Sequence, residues 1–218
     1  MSAVTDAASQ LLIWTPYLAE GFGMNILISI LAMTIGTVLG LGVARMRLAA
    51  STRVYRTSLL LTELTRNVPT FVFMYYLAFM MPSEFTLPSS DTLVTIPAWV
   101  KASLALSIAV IGFCADNLTQ AIREWRSGNH GAAWLFIPAW TSYALIIVMA
   151  SSTASVIGVS ELVSRCNTVV NATGNTSLML PVYLYACVFF IGFCYPLIRL
   201  MDVVKARIVI RLGNKDLA

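Results

Sequence analysis

The chain has 218 residues, of which 58% are hydrophobic and only 11% charged, against roughly 25% charged residues in soluble domains. Too few charges remain to coat a soluble surface, which excludes a soluble enzyme, a nucleic-acid-binding domain and a disordered chain and leaves an integral membrane protein. The net charge of +4 fits the excess of Lys and Arg that cytoplasmic loops of membrane proteins carry, so no nucleic-acid partner is expected.

Residues Met1 to Gln10 contain no basic residue, and Leu11 to Leu18 is too short and too broken for a signal-peptide core. The first span is therefore expected to direct insertion itself. Leu11 to Glu20, with Trp14 and Tyr17, is expected at the outer interface, where aromatics with a polar edge settle. A span needs about 20 mostly apolar residues, and about five segments qualify: 23–44, 59–81, 99–115, 132–150 and 180–200. The second is the least regular, because Glu63, Arg66, Asn67 and Pro69 interrupt it.

The charges between spans alternate. Arg45, Arg47, Arg53 and Arg56 follow the first span, while residues 82–98 hold Glu84 and Asp91 but no Lys or Arg. Arg123 and Arg126 precede the fourth span; Arg165 beside Glu161 follows it; Lys205, Arg207, Arg211 and Lys215 occupy the tail. The basic side predicts an N-terminus outside and a C-terminus in the cytoplasm. The expected organisation is an interfacial segment over 1–22, a membrane domain over 23–208 and a cytoplasmic tail over 209–218.

Gly36, Gly40 and Ala44 form a ladder of small residues on one helical face, which lets another helix approach closely. Glu63 and Arg66, three apart, share a face. An isolated ionised residue at mid-bilayer costs about 2.5–3.5 kcal/mol, so the two are expected to pair or to sit at the interface. On that reading Glu63→Ala weakens the fold, and Glu63→Ala with Arg66→Ala is milder than either change alone. Pro69 is expected to kink the helix or to start its deeper part. Asp116 ends the third span, with Arg123 or Arg126 expected to neutralise it.

His130 has no Cys, Asp or Glu neighbour in its loop, and Cys114, Cys166, Cys187 and Cys194 lack metal or redox spacing. Three of these cysteines fall in apolar segments, as small packed hydrophobes do. Asn117-Leu-Thr, Asn171-Ala-Thr and Asn175-Thr-Ser match glycosylation acceptors, which carry no meaning in a bacterial chain. No P-loop, dinucleotide turn, zinc motif or nucleophile elbow is present. No catalytic residue, metal or cofactor is expected.

Taken in order, several segments resemble the permease subunits of polar amino-acid ABC importers, the histidine, glutamine, arginine and opine group. Tyr17-Leu-Ala-Glu-Gly21 is similar to that family's opening, Glu63-Leu-Thr-Arg-Asn-Val-Pro69 to its E-L-x-R-x-x-P segment, and Ile157-Gly-Val-Ser-Glu-Leu162 to the element after its fourth helix. The resemblance covers roughly residues 14–208 and implies an all-α fold of the type I importer permease. It further implies a second permease, an ABC ATPase and a periplasmic amino-acid-binding protein as partners, in a bacterial inner membrane.

The family's coupling loop lies between its third and fourth helices: an acid, then Arg-Ile, then G-Q-x-E-A-A and a short helix that docks in the ATPase. Asp116 matches the acid, Ile122 the hydrophobic position, and Gly128-Asn129-His130-Gly131-Ala132-Ala133 the G-Q-x-E-A-A block. Gly131 replaces the Glu. After Ala133 the fourth membrane segment begins at once, where the family would first complete its docking helix. The K-D-T-S-L stretch falls on Met149-Ala-Ser-Ser-Thr153, without Lys or Asp. The excursion shrinks to about 122–131, and ten helical residues span only about 15 Å.

Two readings follow. One is an importer permease whose partner carries the coupling. The other is a permease-derived subunit that lost the ATPase and now scaffolds or regulates another membrane complex. An ion channel or secondary transporter would need charged or broken helices at mid-membrane, and only Glu63, Arg66 and Pro69 offer any.

Overall fold

The computed structural model describes residues 2–87, 90–174 and 176–213; Asn175 and Lys215 lie outside them. Helix α1, Ser2–Arg47, runs 46 residues without a break across residues 22–23. At 1.5 Å per residue it is roughly 69 Å long, more than twice a bilayer's hydrocarbon thickness. The second expected span is divided. α2, Thr52–Asn67, stops where Val68 turns extended at ψ 124°, and α3, Thr70–Met80, starts after Pro69 at φ −58°. Pro69 favours this break, since proline disfavours the helical region for the residue before it and suits a helix start.

A hairpin follows, β1 (Glu84–Leu87) paired antiparallel to β2 (Ser90–Thr95), with Glu84 opposite Thr95 and Thr86 opposite Leu93. α4, Ala98–Arg126, is the central helix. The chain then reverses into a one-turn helix α5, His130–Ala133, and α6, Phe136–Ala150, which tightens into a 3₁₀ stretch over Ser151–Ile157. α7, Leu162–Thr173, lies between the fourth and fifth expected spans, and α8, Met179–Gly213, is the last helix among the described residues.

Among the described residues four helical stretches, 9–47, 98–126, 130–157 and 176–210, are long and apolar enough to cross a membrane, while α3 is apolar but short. The second of the five expected spans is thus not a single crossing helix but divides into the charged α2 and the short apolar α3.

The small-residue ladder explains how α1 seats on α4. A Cβ on Gly36 would lie 2.3 Å from Cβ of Val110, and one on Gly40 would lie 2.5 Å from Cβ of Cys114. Because both contacts advance together along the two chains, α1 and α4 run parallel and their basic C-terminal ends lie together. Ile28, Ala32 and Met33 of α1 pack with Met74 of α3 and with Leu106, Val110 and Cys114 of α4, and Ile147 and Ala154 close this core. A second core joins Leu18 of α1 to Leu162, Cys166 and Val169 of α7 and to Val182 and Ala186 of α8. Overpacking a close contact costs about 1–3 kcal/mol. Gly36→Val is therefore expected to lower the thermal midpoint in detergent, and Gly42→Val, where nothing approaches within 4 Å, to leave it unchanged.

Candidate functional site

The sequence-derived residues fall into two groups, one where α1, α2 and α4 meet and one at the reversal after α4. At the first, Asp116 of α4 binds two arginines. Arg47 donates from Nη1 to its Oδ1, and Arg66 from its own Nη1 to Oδ2. Arg47 also donates from Nη2 to Thr62 Oγ1, so one carboxylate ties the end of α1 and the body of α2 to α4. Close packing sets this up, because a Cβ on Gly112 would lie 2.6 Å from both Arg66 Cγ and Thr65 Oγ1.

Two expected pairings are corrected here. Arg66 turns away from Glu63 to cross to α4, and the neutralising cations of Asp116 are Arg47 and Arg66, not Arg123 or Arg126. Arg123 and Arg126 lie at least seven residues further along α4, about 10 Å away along its axis at 1.5 Å per residue. Glu63 is exposed and makes no hydrogen bond or ion pair among the described residues. The consequence for mutation is also reversed. Glu63→Ala is expected to change stability by no more than about 0.5 kcal/mol, as surface changes do, and thermal unfolding in detergent measures it.

Above this junction α3 ends against an unexpected cation. Lys101 of α4 is only 3% exposed, and its Nζ donates to the carbonyls of Ala78 (3.3 Å) and Met81 (2.8 Å) and to Ser83 Oγ (3.2 Å). It satisfies carbonyls that the helix end leaves open and complements the negative end of the α3 dipole.

At the reversal, Gly128 adopts φ +86°, a left-handed conformation natural to glycine. Its N–H donates to Trp125 O (3.2 Å), and that of Asn129 to Glu124 O (3.0 Å), the double bond of a glycine-terminated helix. Asn129 then caps α5, accepting from Ala132 N at 3.3 Å while its Nδ2 donates to Glu124 Oε2 at 3.2 Å. The residues aligned with the coupling motif thus terminate one helix and start the next. Only residues 127–129 separate α4 from α5, a turn shorter than the 122–131 excursion expected above, and α5 has four residues. Gly131 and Ala132 are half-buried and Ala133 is buried. The His130 ring sits 4.3 Å from that of Trp125.

Beside this turn lies a cavity of about 410 Å³ between α4, α5, α6 and α8, bordered by Asn117, Gln120, Glu124, Ser142, Asp202 and Lys205. Among the described residues no group of three or more His, Cys, Asp or Glu could hold a metal, and all four cysteines are free thiols.

A third polar assembly was not anticipated as a site. Glu161 is 0% exposed. It caps α7, with Oε2 accepting from Val163 N (3.0 Å) and Oε1 from Ser164 N (3.0 Å), and Oε2 also accepts from Asn25 Nδ2 (3.0 Å). Asn25 Nδ2 donates as well to Ser151 Oγ (2.9 Å), and its Oδ1 accepts from Leu162 N (3.1 Å). Burial pushes the Glu161 carboxyl up from its ordinary range, while its three donors pull it back. Next to it Arg165 donates from Nη1 to Tyr17 O (2.7 Å) and Glu20 Oε2 (2.6 Å), with its guanidinium 4.5 Å over the Tyr17 ring. The signal in the sequence was Asn25, a strongly polar residue inside an otherwise apolar span, which needs an internal partner.

No protein-family model and no curated protein sequence matches the chain. Among solved structures, it is similar to a chain of an amino acid ABC transporter crystallised with histidines, with a TM-score of 0.74 and 18% identity over 90% of this chain and 96% of that one. The two chains share a fold. With four apolar helices of crossing length among the described residues, the chain is a multi-pass, predominantly α-helical membrane protein, and its fold likeness to that transporter chain extends over nearly the whole length.

Proposed function

We propose that the chain is a membrane-embedded permease subunit of a bacterial inner-membrane importer for polar amino acids. It pairs with a second permease, receives substrate from a periplasmic binding protein and is driven by a separate ATPase. The observation that carries this reading is the fold similarity over nearly the whole of both chains, joined to the ordered motifs at Tyr17–Gly21, Glu63–Pro69 and Ile157–Leu162. In the proposed orientation the N-terminus lies outside, and the ends of α1, α4 and α8 lie in the cytoplasm. The second permease then carries the ATPase contact, because residues 127–133 hold one turn of helix where a docking helix would stand.

That same turn favours a second reading, a permease fold retired from ATP-driven transport and kept as a structural or regulatory subunit. Purification of the tagged protein in mild detergent, with mass spectrometry of everything retained, separates the two. Stoichiometric ATPase and a second permease are expected. Recovery of other membrane proteins with no ATPase would replace the first reading with the second.

A further inference from the structure

At the basic end of the molecule a cleft of about 480 Å³ opens between the C-terminal ends of α1 and α4, lined by Leu41, Arg45, Leu48, Ile122 and Arg126. Its two guanidiniums come from different helices, and neither side chain makes a hydrogen bond or ion pair among the described residues. Cations at helix C-termini commonly serve the helix dipole alone, and here Arg47 and Arg123 also occupy the last turns. Arg47, two residues from Arg45, has found Asp116, whereas no carboxylate lines the cleft. Glu124, the nearest acid in sequence to Arg126, borders the polar cavity and bonds Asn129 instead.

The remaining walls are apolar, and a second groove lies next to the cleft, across Ile122. Ile122 lines both, and the adjoining groove of about 370 Å³ is bordered by Trp125, Ala133, Trp134, Phe136 and Ile137. Trp125 and Trp134 are about half exposed, as tryptophans are at a membrane–water interface. Paired cations therefore sit beside a hydrocarbon trough at one end of a membrane-crossing bundle. Basic pockets between membrane helices on this side recognise anionic lipid headgroups.

We propose that this cleft binds an anionic phospholipid, with its phosphate between Arg45 and Arg126 and an acyl chain along Ile122 and the Trp125–Trp134 groove. The charge complementarity selects a phosphate, and the apolar groove on the other side of Ile122 selects a lipid over a free phosphate ion. The site is independent of the transport reading and of which proteins join the complex.

The test uses the full-length protein in nanodiscs of phosphatidylcholine, alone or doped with phosphatidylglycerol, with native mass spectrometry counting retained lipid. Each cationic side chain near an anionic surface contributes about a factor of five, so Arg45→Gln with Arg126→Gln is expected to weaken phosphatidylglycerol retention about thirtyfold. Arg53→Gln with Arg56→Gln, equally basic and exposed but away from the cleft, is expected to retain it, and inorganic phosphate is expected not to compete. Equal loss in both double variants would reduce the effect to general surface charge and overturn the site. So would unchanged retention in the first variant, or competition by inorganic phosphate. Should the first variant fail to fold in phosphatidylcholine, Ile122→Trp fills the trough and leaves both charges; wild-type retention in that variant would equally overturn the proposal.

Discussion

Replacing Glu161 with alanine is expected to cost the fold about 3–5 kcal/mol, the largest effect of any single change outside the apolar cores. Loss of a helix cap costs about 1 kcal/mol, and each buried donor left without a partner adds about 1–3 kcal/mol. Alanine removes the acceptor of Val163 N, of Ser164 N and of one Asn25 bond at once. Only Ser151 Oγ then remains to receive the Asn25 amide. Glutamine fits the space, but its amide sets donors against donors, so Glu161→Gln is expected to restore less than half of the loss. Thermal unfolding in mild detergent measures both. A midpoint within a degree or two of wild type for Glu161→Ala would mean that α7 is not held by this network.

The second large effect is expected at Asp116. Its removal leaves two arginines facing each other across α4 without a counter-charge. Arg47 is the costly one, since its side chain is 11% exposed and its Nε already lacks a partner, whereas Arg66 is 61% exposed. Breaking a buried pair costs about 3–5 kcal/mol and an exposed pair about 0–1 kcal/mol. Asp116 is itself 30% exposed, which places Asp116→Ala near 3 kcal/mol and Arg66→Ala below about 1 kcal/mol. At this chain length 3 kcal/mol shifts the midpoint by roughly 6–12 °C. Combining Asp116→Ala with Arg47→Met is expected to be milder than Asp116→Ala alone, because the stranded cation is gone. Additive losses would refute the shared carboxylate.

The two networks show what a sequence of this kind reveals. Membrane character, four of the five spans and the close-packing face of α1 were legible because they rest on local quantities, namely apolar runs and small residues at helical spacing, whereas its partner α4 was not. Pro69 was legible as an irregularity, and its local stereochemistry makes the full break between α2 and α3. The ion pairs were not legible in the same way. Glu63 and Arg66 are neighbours on one helix, yet Arg66 bonds Asp116, fifty residues away, because Gly112 brings α2 onto α4. Lys101 lies within the third expected span, and its role emerges only when the end of α3 folds back over it. α7 was hidden for a similar reason, since its start depends on Glu161, an uncommon cap, and on an asparagine 136 residues earlier.

The reversal after α4 was legible in outline. Alignment of Gly128–Ala133 with a coupling motif, followed directly by an apolar segment, pointed to a shortened excursion. The fold gives Gly128 a structural role of its own, because it holds the left-handed turn that ends α4. In that setting Gly131→Glu restores a charge but none of the missing length, and it is not expected to create an ATPase contact.

The central proposal is that this chain serves as a permease subunit whose short turn after α4 does not reach an ATPase. Placing a photo-crosslinking amino acid at Asn129 in the tagged, purified complex tests it most directly, in the wild-type background and with Gly131→Glu. The account predicts that irradiation yields no adduct between this chain and the ATPase in either background, while the same probe in the second permease's loop does crosslink. An ATPase adduct formed from position 129 of this chain would contradict it.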